Sequence, residues 1–162
     1  MAGSTNKKVQ VMRFDREPLP GIVNPTTYLT DKGVELLTLT GTVVVLPYSE
    51  IKAVHFVKEF DADPVLQRRT FFSRPKMDGL WVRMTFRDQD SLEAVLPNNL
   101  LQLEAFGFSV TPPDFSSSNQ WLFIPRAALT EMQVLGVVGS PLTHPTKRKP
   151  KPADKDQIRM FE

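Results

Sequence analysis

The chain has 162 residues, 41% of them hydrophobic and 23% charged, with no cysteine. That length suits one ample domain or two small ones, and the balance of apolar and charged residues is that of a chain able to bury a core. The lack of cysteine excludes disulfides, thiolate metal sites and a cysteine nucleophile, and it fits a reducing cytoplasm, where the protein is expected. Fourteen prolines argue against long helices and for turns and edge strands. No run approaches the ~18 apolar residues of a membrane span, and MAGSTNKK has no apolar segment after its charges, so it is not read as a signal peptide. The net charge is +2. From Thr143 to Glu162 six Lys/Arg stand against three Asp/Glu, a net of +3, which leaves −1 for the rest of the chain. The basic character is therefore in the tail.

After a polar start, Val9, Val11 and Arg13 alternate with Gln10 and Met12, the period of a strand. Asp15-Arg16-Glu17-Pro18 reads as a turn, and Leu19, Gly21 and Val23 continue as a second strand that Asn24-Pro25 ends. A third strand spans Gly33 to Leu39, with Thr40-Gly41 as a hairpin turn into a fourth at Val43 to Leu46. Pro47-Tyr48-Ser49-Glu50 is a tight turn, and Ile51 to Val57 a fifth strand.

The second half repeats this order. Val82, Met84 and Phe86 stand where Val9, Val11 and Arg13 stood, and Asp88 matches Asp15 at the turn. Leu92, Ala94 and Leu96 match Leu19, Gly21 and Val23; Gly107-Phe108 matches Gly33-Val34. WLFIPRAALTEMQVL, Trp121 to Leu135, matches VVVLPYSEIKAVHFV, Val43 to Val57. The longer second copy spends its extra residues in Thr111 to Gln120, a stretch of loop composition. Turns and apolar pattern agree together, which marks a repeat. A unit of roughly 50 residues with five short strands avoids bare edges by curling into a small barrel. The predicted fold is all-β, with two tandem five-stranded small barrels. Residues 8–57 form the first, 58–79 a linker, 80–139 the second, and 140–162 a flexible basic tail. The linker is expected to pack across both barrels with Phe71 or Phe72 buried at the junction. The tail is rich in proline and lysine and is expected to be disordered or extended.

The stretch VQVMRFDREPLPGIV, with Gly21 in a bent second strand, resembles the opening of the Sm-like small barrel of the SH3-like class. A strongly curved strand needs a residue without Cβ at its corner. The whole chain resembles an uncharacterised bacterial family, found in acidobacteria and relatives, with two such units in tandem. The phrases that carry this are EIKAVHFVKEFDADP, TFRDQDSLEAVLPN and PDFSSSNQWLFIP. The Sm resemblance implies RNA binding through an Asp-x-x-Met-Asn-like turn and an Arg-Gly pair. This chain has NPTTYLT at the first place and PYSE or PRAA at the second, where only Arg126 offers a cation. The uridine site does not carry over.

Signatures of chemistry are sparse. There is no Gly-x-Ser-x-Gly elbow, P-loop or metal-ligand cluster, so no catalytic residue, metal or cofactor is assigned and the protein is expected not to be an enzyme. His55 in a strand reads as a structural or surface residue and His144 as part of the tail. Asp61 and Asp63 read as a solvated turn, and Ser116 to Ser118 as loop. Arg68, Arg69, Arg74 and Lys76, with Phe71, Phe72 and Trp81, form a candidate surface for single-stranded nucleic acid by stacking and phosphate contact. The sharpest motif is Gln157-Ile158-Arg159-Met160-Phe161, which resembles the bacterial sliding-clamp-binding peptide. In such a peptide Gln157 would bond a pocket rim while Ile158, Met160 and Phe161 bury apolar surface at ~25 cal/mol per Å². These readings predict an interaction or adaptor protein recruiting a protein partner, with a nucleic-acid binder as the alternative.

Overall fold

The computed structural model describes residues 5–60, 69–113 and 119–139. Strand β1 (Lys7–Arg13) buries Val9 and Val11, and β2 (Leu19–Val23) runs back beside it, with Val9 opposite Gly21 and Val11 opposite Leu19. Strand β3 (Val34–Thr38) pairs with β2 on one side and with β4 (Val43–Leu46) on the other. Gly41 closes this hairpin at φ 92°, a left-handed conformation that glycine adopts without penalty. Pro47 leads into a 3-10 turn, Tyr48–Glu50, and β5 (Ile51–Val57) then returns along the far side of β1.

Five more strands follow, with a 3-10 turn at Leu100–Gln102 that has no counterpart in the first half. Strands β6 (Gly79–Phe86) and β7 (Ser91–Leu96) form a hairpin across Asp88. Strand β8 (Gly107–Val110) pairs with β9 (Asn119–Pro125). A 3-10 turn at Arg126–Ala128 leads into β10 (Leu129–Val138), which lies beside β6. The two proline corners share one conformation: Pro47 has φ −59° and ψ 143°, Pro125 has φ −62° and ψ 142°. After each, the amide of the residue following the 3-10 turn donates back to the turn's first carbonyl. Gly33 and Gly107 also play one part. A Cβ on Gly33 would lie 2.0 Å from the Leu46 carbonyl oxygen, and a Cβ on Gly107 would lie 2.3 Å from that of Ile124. Both glycines thus bring a backbone against the residue just before the corner proline.

The strands form a seven-stranded sheet, ordered β4-β3-β2-β1-β5-β9-β8, and a three-stranded sheet, β10-β6-β7. All named pairings are antiparallel. Neither sheet closes on itself, so the expected pair of separately closed barrels is not what the ladders give. The cause is the pairing of β9 with β5, which carries the β8–β9 hairpin into the sheet of the first half. A single bridge, Val95 to Thr111, connects β7 with the stretch just after β8. Through it the strands run as one series from β4 at one end to β10 at the other.

Two apolar cores result. One gathers Val9, Val11, Val34, Leu36, Ile51, Val54 and Phe56, and Phe123 of β9 enters it. The other gathers Val82, Met84, Phe86, Leu92, Leu96, Leu122 and Ile124, and Ala53 of β5 reaches it. Alternate residues of β9 therefore serve different cores, as the alternation of a strand allows. At the bend in β2, a Cβ on Gly21 would come within 2.4 Å of Leu36 Cδ1 and 2.8 Å of the Leu37 carbonyl oxygen.

Candidate interaction surfaces

The junction between the halves is the β5–β9 ladder, where Val54 faces Phe123, His55 faces Leu122 and Phe56 faces Trp121. Phe56 and Trp121 stack at 4.3 Å between ring centroids with 14° between planes. Tyr28 meets Phe56 and Phe123 edge-on at 5.6 and 6.0 Å, and Tyr48 stacks on Phe106 at 5.0 Å. Offset and edge-on rings are the favoured arrangements of aromatic pairs, so this cluster adds to plain area burial. The Tyr48 hydroxyl donates to the Thr30 carbonyl at 2.5 Å.

A polar clasp crosses the same junction. The Lys52 ammonium on β5 lies 2.8 Å from both Asp88 Oδ2 and Asp90 Oδ2 in the β6–β7 turn, and Arg69 meets Asp90 at 3.0 Å. Lys52 also sits 5.1 Å from the centroid of the Phe86 ring. Such networks of partly exposed ions are modest in energy but fix orientation. The Asp88-Gln89-Asp90 turn, legible in the sequence only as a turn, is thus also a cation seat.

Arg69 and Arg74 of the linker are exposed, yet each bonds to the protein. Arg69 pairs with Asp90, and its carbonyl accepts from the Glu93 amide. An Arg74 guanidinium nitrogen donates to the Val137 carbonyl. The Trp81 indole donates to Glu93 Oε1 at 3.1 Å, and the Phe71 amide donates to the same oxygen at 3.1 Å. Glu93 is only 8% exposed and has Arg83 at 3.8 Å. Neither phenylalanine is buried at the junction, contrary to expectation. Phe71 is half-buried edge-on against Trp81 at 6.4 Å, and Phe72 is 84% exposed. The reason is Glu93: by accepting from the Phe71 amide it draws the linker onto the three-stranded sheet. Lys76 is exposed, and the Arg126 guanidinium lies over the Phe108 ring at 5.0 Å. Arg68, Asp61, Asp63, Ser116 to Ser118, His144 and the tail residues Gln157, Ile158, Met160 and Phe161 lie outside the described residues.

His55 is 5% exposed between Gln10 of β1 and Leu122 of β9. Burial, aided by the nearby Arg69 charge, lowers its pKa from 6.5 to about 4, and its Nδ1 has no hydrogen-bond partner. It is a neutral interior residue at neutral pH. Among the described residues no group of three or more His, Asp or Glu side chains is placed to hold a metal ion, and no helix is long and apolar enough to cross a membrane.

What the sequence did not reveal is an apolar row at each end of the strand series. On β3–β4, Leu37, Leu39, Val43 and Val45 are 37%, 57%, 59% and 46% exposed; on β10, Val134 and Val137 are 61% and 55% exposed. The VVVL run of β4 carries no charge or proline, the usual protection of a sheet edge. The signal was in the sequence, but it reads equally as a strand buried on both faces.

The architecture defines an all-β protein with a seven-stranded and a three-stranded sheet, neither of them closed. The chain belongs to a family of unknown function, DUF6982, whose model matches residues 5–136. None of the curated proteins and none of the solved structures matches it.

Proposed function

We propose that the chain is a non-enzymatic cytoplasmic interaction module built from two duplicated Sm-like units of the SH3-like class, with a protein as its partner. Duplication is supported by the shared proline corners, by Gly33 and Gly107, and by strand order. The first half runs β4-β3-β2-β1-β5. The second, joined through its single bridge, runs β9-β8-β7-β6-β10. In each, the fifth strand lies beside the first and the fourth ends the row. The observation that carries the protein-partner reading is the exposed apolar row on β3 and β4, since contiguous exposed apolar surface marks interaction sites.

The tail supplies a first partner of defined chemistry. Gln157, Ile158, Met160 and Phe161 have the pattern of a sliding-clamp-binding peptide, and a tail of this composition orders on binding. Immobilised full-length chain is expected to retain the bacterial sliding clamp, and the Gln157→Ala, Phe161→Ala double variant to lose at least tenfold in affinity, about 1.4 kcal/mol. Equal retention by both, or by neither, overturns the clamp assignment.

A single-stranded nucleic acid is the second reading, favoured by Phe72 at 84% exposure close in sequence to the exposed Arg69, Arg74 and Lys76. Arg68 and Trp81 complete the candidate set. This reading expects a gel shift of single-stranded oligonucleotide that weakens with salt and is lost in an Arg68→Ala, Arg69→Ala, Arg74→Ala variant. No shift at low salt rules it out.

A further inference from the structure

Glu104 is a half-buried carboxylate that pairs with no cation among the described residues. A charge withdrawn from water is costly unless something compensates it. Here the Ser109 hydroxyl donates to it at 3.0 Å, and Ser109 is also hydrogen-bonded to Tyr28. The carboxylate stands at a cavity of about 240 Å³, lined by Pro25, Tyr28 and Leu29 on one side and by Glu104, Ala105 and Phe106 on the other. Both walls are held in place. The Asn24 side chain accepts from the Thr26 amide and hydroxyl, and its carbonyl accepts from the Thr27 and Tyr28 amides. Opposite, Glu104 bridges to Gly107, and Phe106 stacks on Tyr48. Leu29, Tyr48 and Phe106 are half-buried at the rim of the first core, so the surroundings of the carboxylate are apolar and aromatic.

We propose that this cavity receives the cationic end of a lysine or arginine side chain presented by a protein partner. This deepens the protein-partner reading and rests on it. A cation on an apolar stem answers both features of the site: the charged end pairs with Glu104 while the stem packs on Leu29 and Phe106. The negative potential is already felt by the neighbouring phenols. Burial, then the charges of Asp31 and Glu104, push the Tyr48 hydroxyl up to about 12, and Tyr28 is raised first by burial and then by Glu104. A phosphate would meet that potential with the wrong sign, so the cavity does not serve a nucleic acid. Its volume is below the roughly 300–1,000 Å³ of small-molecule sites, which suits one side chain better than a whole cofactor. Arg126 does not fill it: its amide donates to the Phe106 carbonyl, but its guanidinium lies over Phe108.

The test is an amide NMR titration of the isotope-labelled full-length chain. The probes are the end-blocked tripeptides Gly-Lys-Gly and Gly-Arg-Gly, the same peptide with norleucine at its centre, and n-butylammonium chloride. Each is taken to about 20 mM, since one side-chain contact binds in the millimolar range. The amides of Leu29, Glu104, Ala105 and Phe106 are expected to shift saturably with a cationic peptide. The norleucine peptide keeps the stem and drops the charge, and should bind at least tenfold more weakly. Raising salt from about 50 to about 500 mM should weaken the cationic peptides severalfold and leave norleucine nearly unchanged. Glu104→Gln keeps an oxygen for Ser109 but should abolish the preference for a cation. Should that chain unfold, which the same spectra report, Ala105→Lys takes its place: at an exposed wall position it brings a cation of the chain's own to Glu104 and should cost at least tenfold in peptide affinity. No saturable shift with either cationic peptide overturns the proposal. So do equal affinities for cationic and norleucine peptides, or undiminished binding by the folded variant. Butylammonium that binds at these amides tenfold tighter than either peptide points to a free amine and overturns the assignment to a protein side chain. Clamp retention reads the tail and this titration reads the cavity, so either can fail while the other stands.

Discussion

Phe123→Ala is expected to lower the unfolding free energy by about 3–5 kcal/mol, the usual cost of emptying an aromatic core site. Phe123 is fully buried, and although it belongs to β9 it lies in the core of the first half against Tyr28 and Tyr48. Its neighbours are rings and β-branched residues held by two ladders, which close poorly around a void. Against a typical total of about 5–15 kcal/mol this is a large loss. Since β9 also lends Leu122 and Ile124 to the other core, both halves should feel it. The measurement is urea unfolding followed by single-tryptophan variants. Trp121 reports the junction and Trp81 the three-stranded sheet. The two probes should move together to lower urea; a shift at Trp121 alone would mean that the halves unfold independently.

His55 should make the fold acid-sensitive in a defined window. Its folded pKa is about 4 against an unfolded 6.5, so between these values the unfolded chain holds more protons. Stability is then full above pH 6.5 and falls as pH drops toward 4, by about 3 kcal/mol at most. The urea midpoint, read at intervals from pH 7.5 to 4.5, should decline. In His55→Gln, which cannot titrate, the decline should be shallower by this amount. Equal slopes in the two chains would show that His55 is protonated inside the fold without cost.

The strands were legible because their signals are local. Val9 and Val11, the Thr40-Gly41 turn, and the corners at Pro47 and Pro125 each announce themselves within a few residues; the first five strands lie where alternation and turn chemistry put them, and the last five where matching the two halves of the sequence put them. What was not legible depends on which distant strands meet. Trp121-Leu122-Phe123-Ile124 reads as a strand buried on both faces, but nothing in those letters says that the second face belongs to another half's core. The same limit hid the clasp, because Lys52 and Asp90 lie far apart in sequence. It also hid Glu93, whose cross-strand position beside Arg83 let it anchor Trp81 and the Phe71 amide. Trp81 looked like a stacking platform because its hydrogen-bond acceptor sits on a different strand.

The β5–β9 pairing also bears on how the chain leaves the ribosome. Strands β1 to β5 can pair as soon as they emerge, each beside a strand already made or next to come. Strand β5 must then wait for β9, which begins at Asn119, beyond the entire β6–β8 segment. At about 5–20 residues per second that interval lasts several seconds. Throughout it the nascent chain presents an unpaired edge lined with Val54 and Phe56, so translation speed between Val57 and Asn119 governs how long this protein is exposed to mispairing.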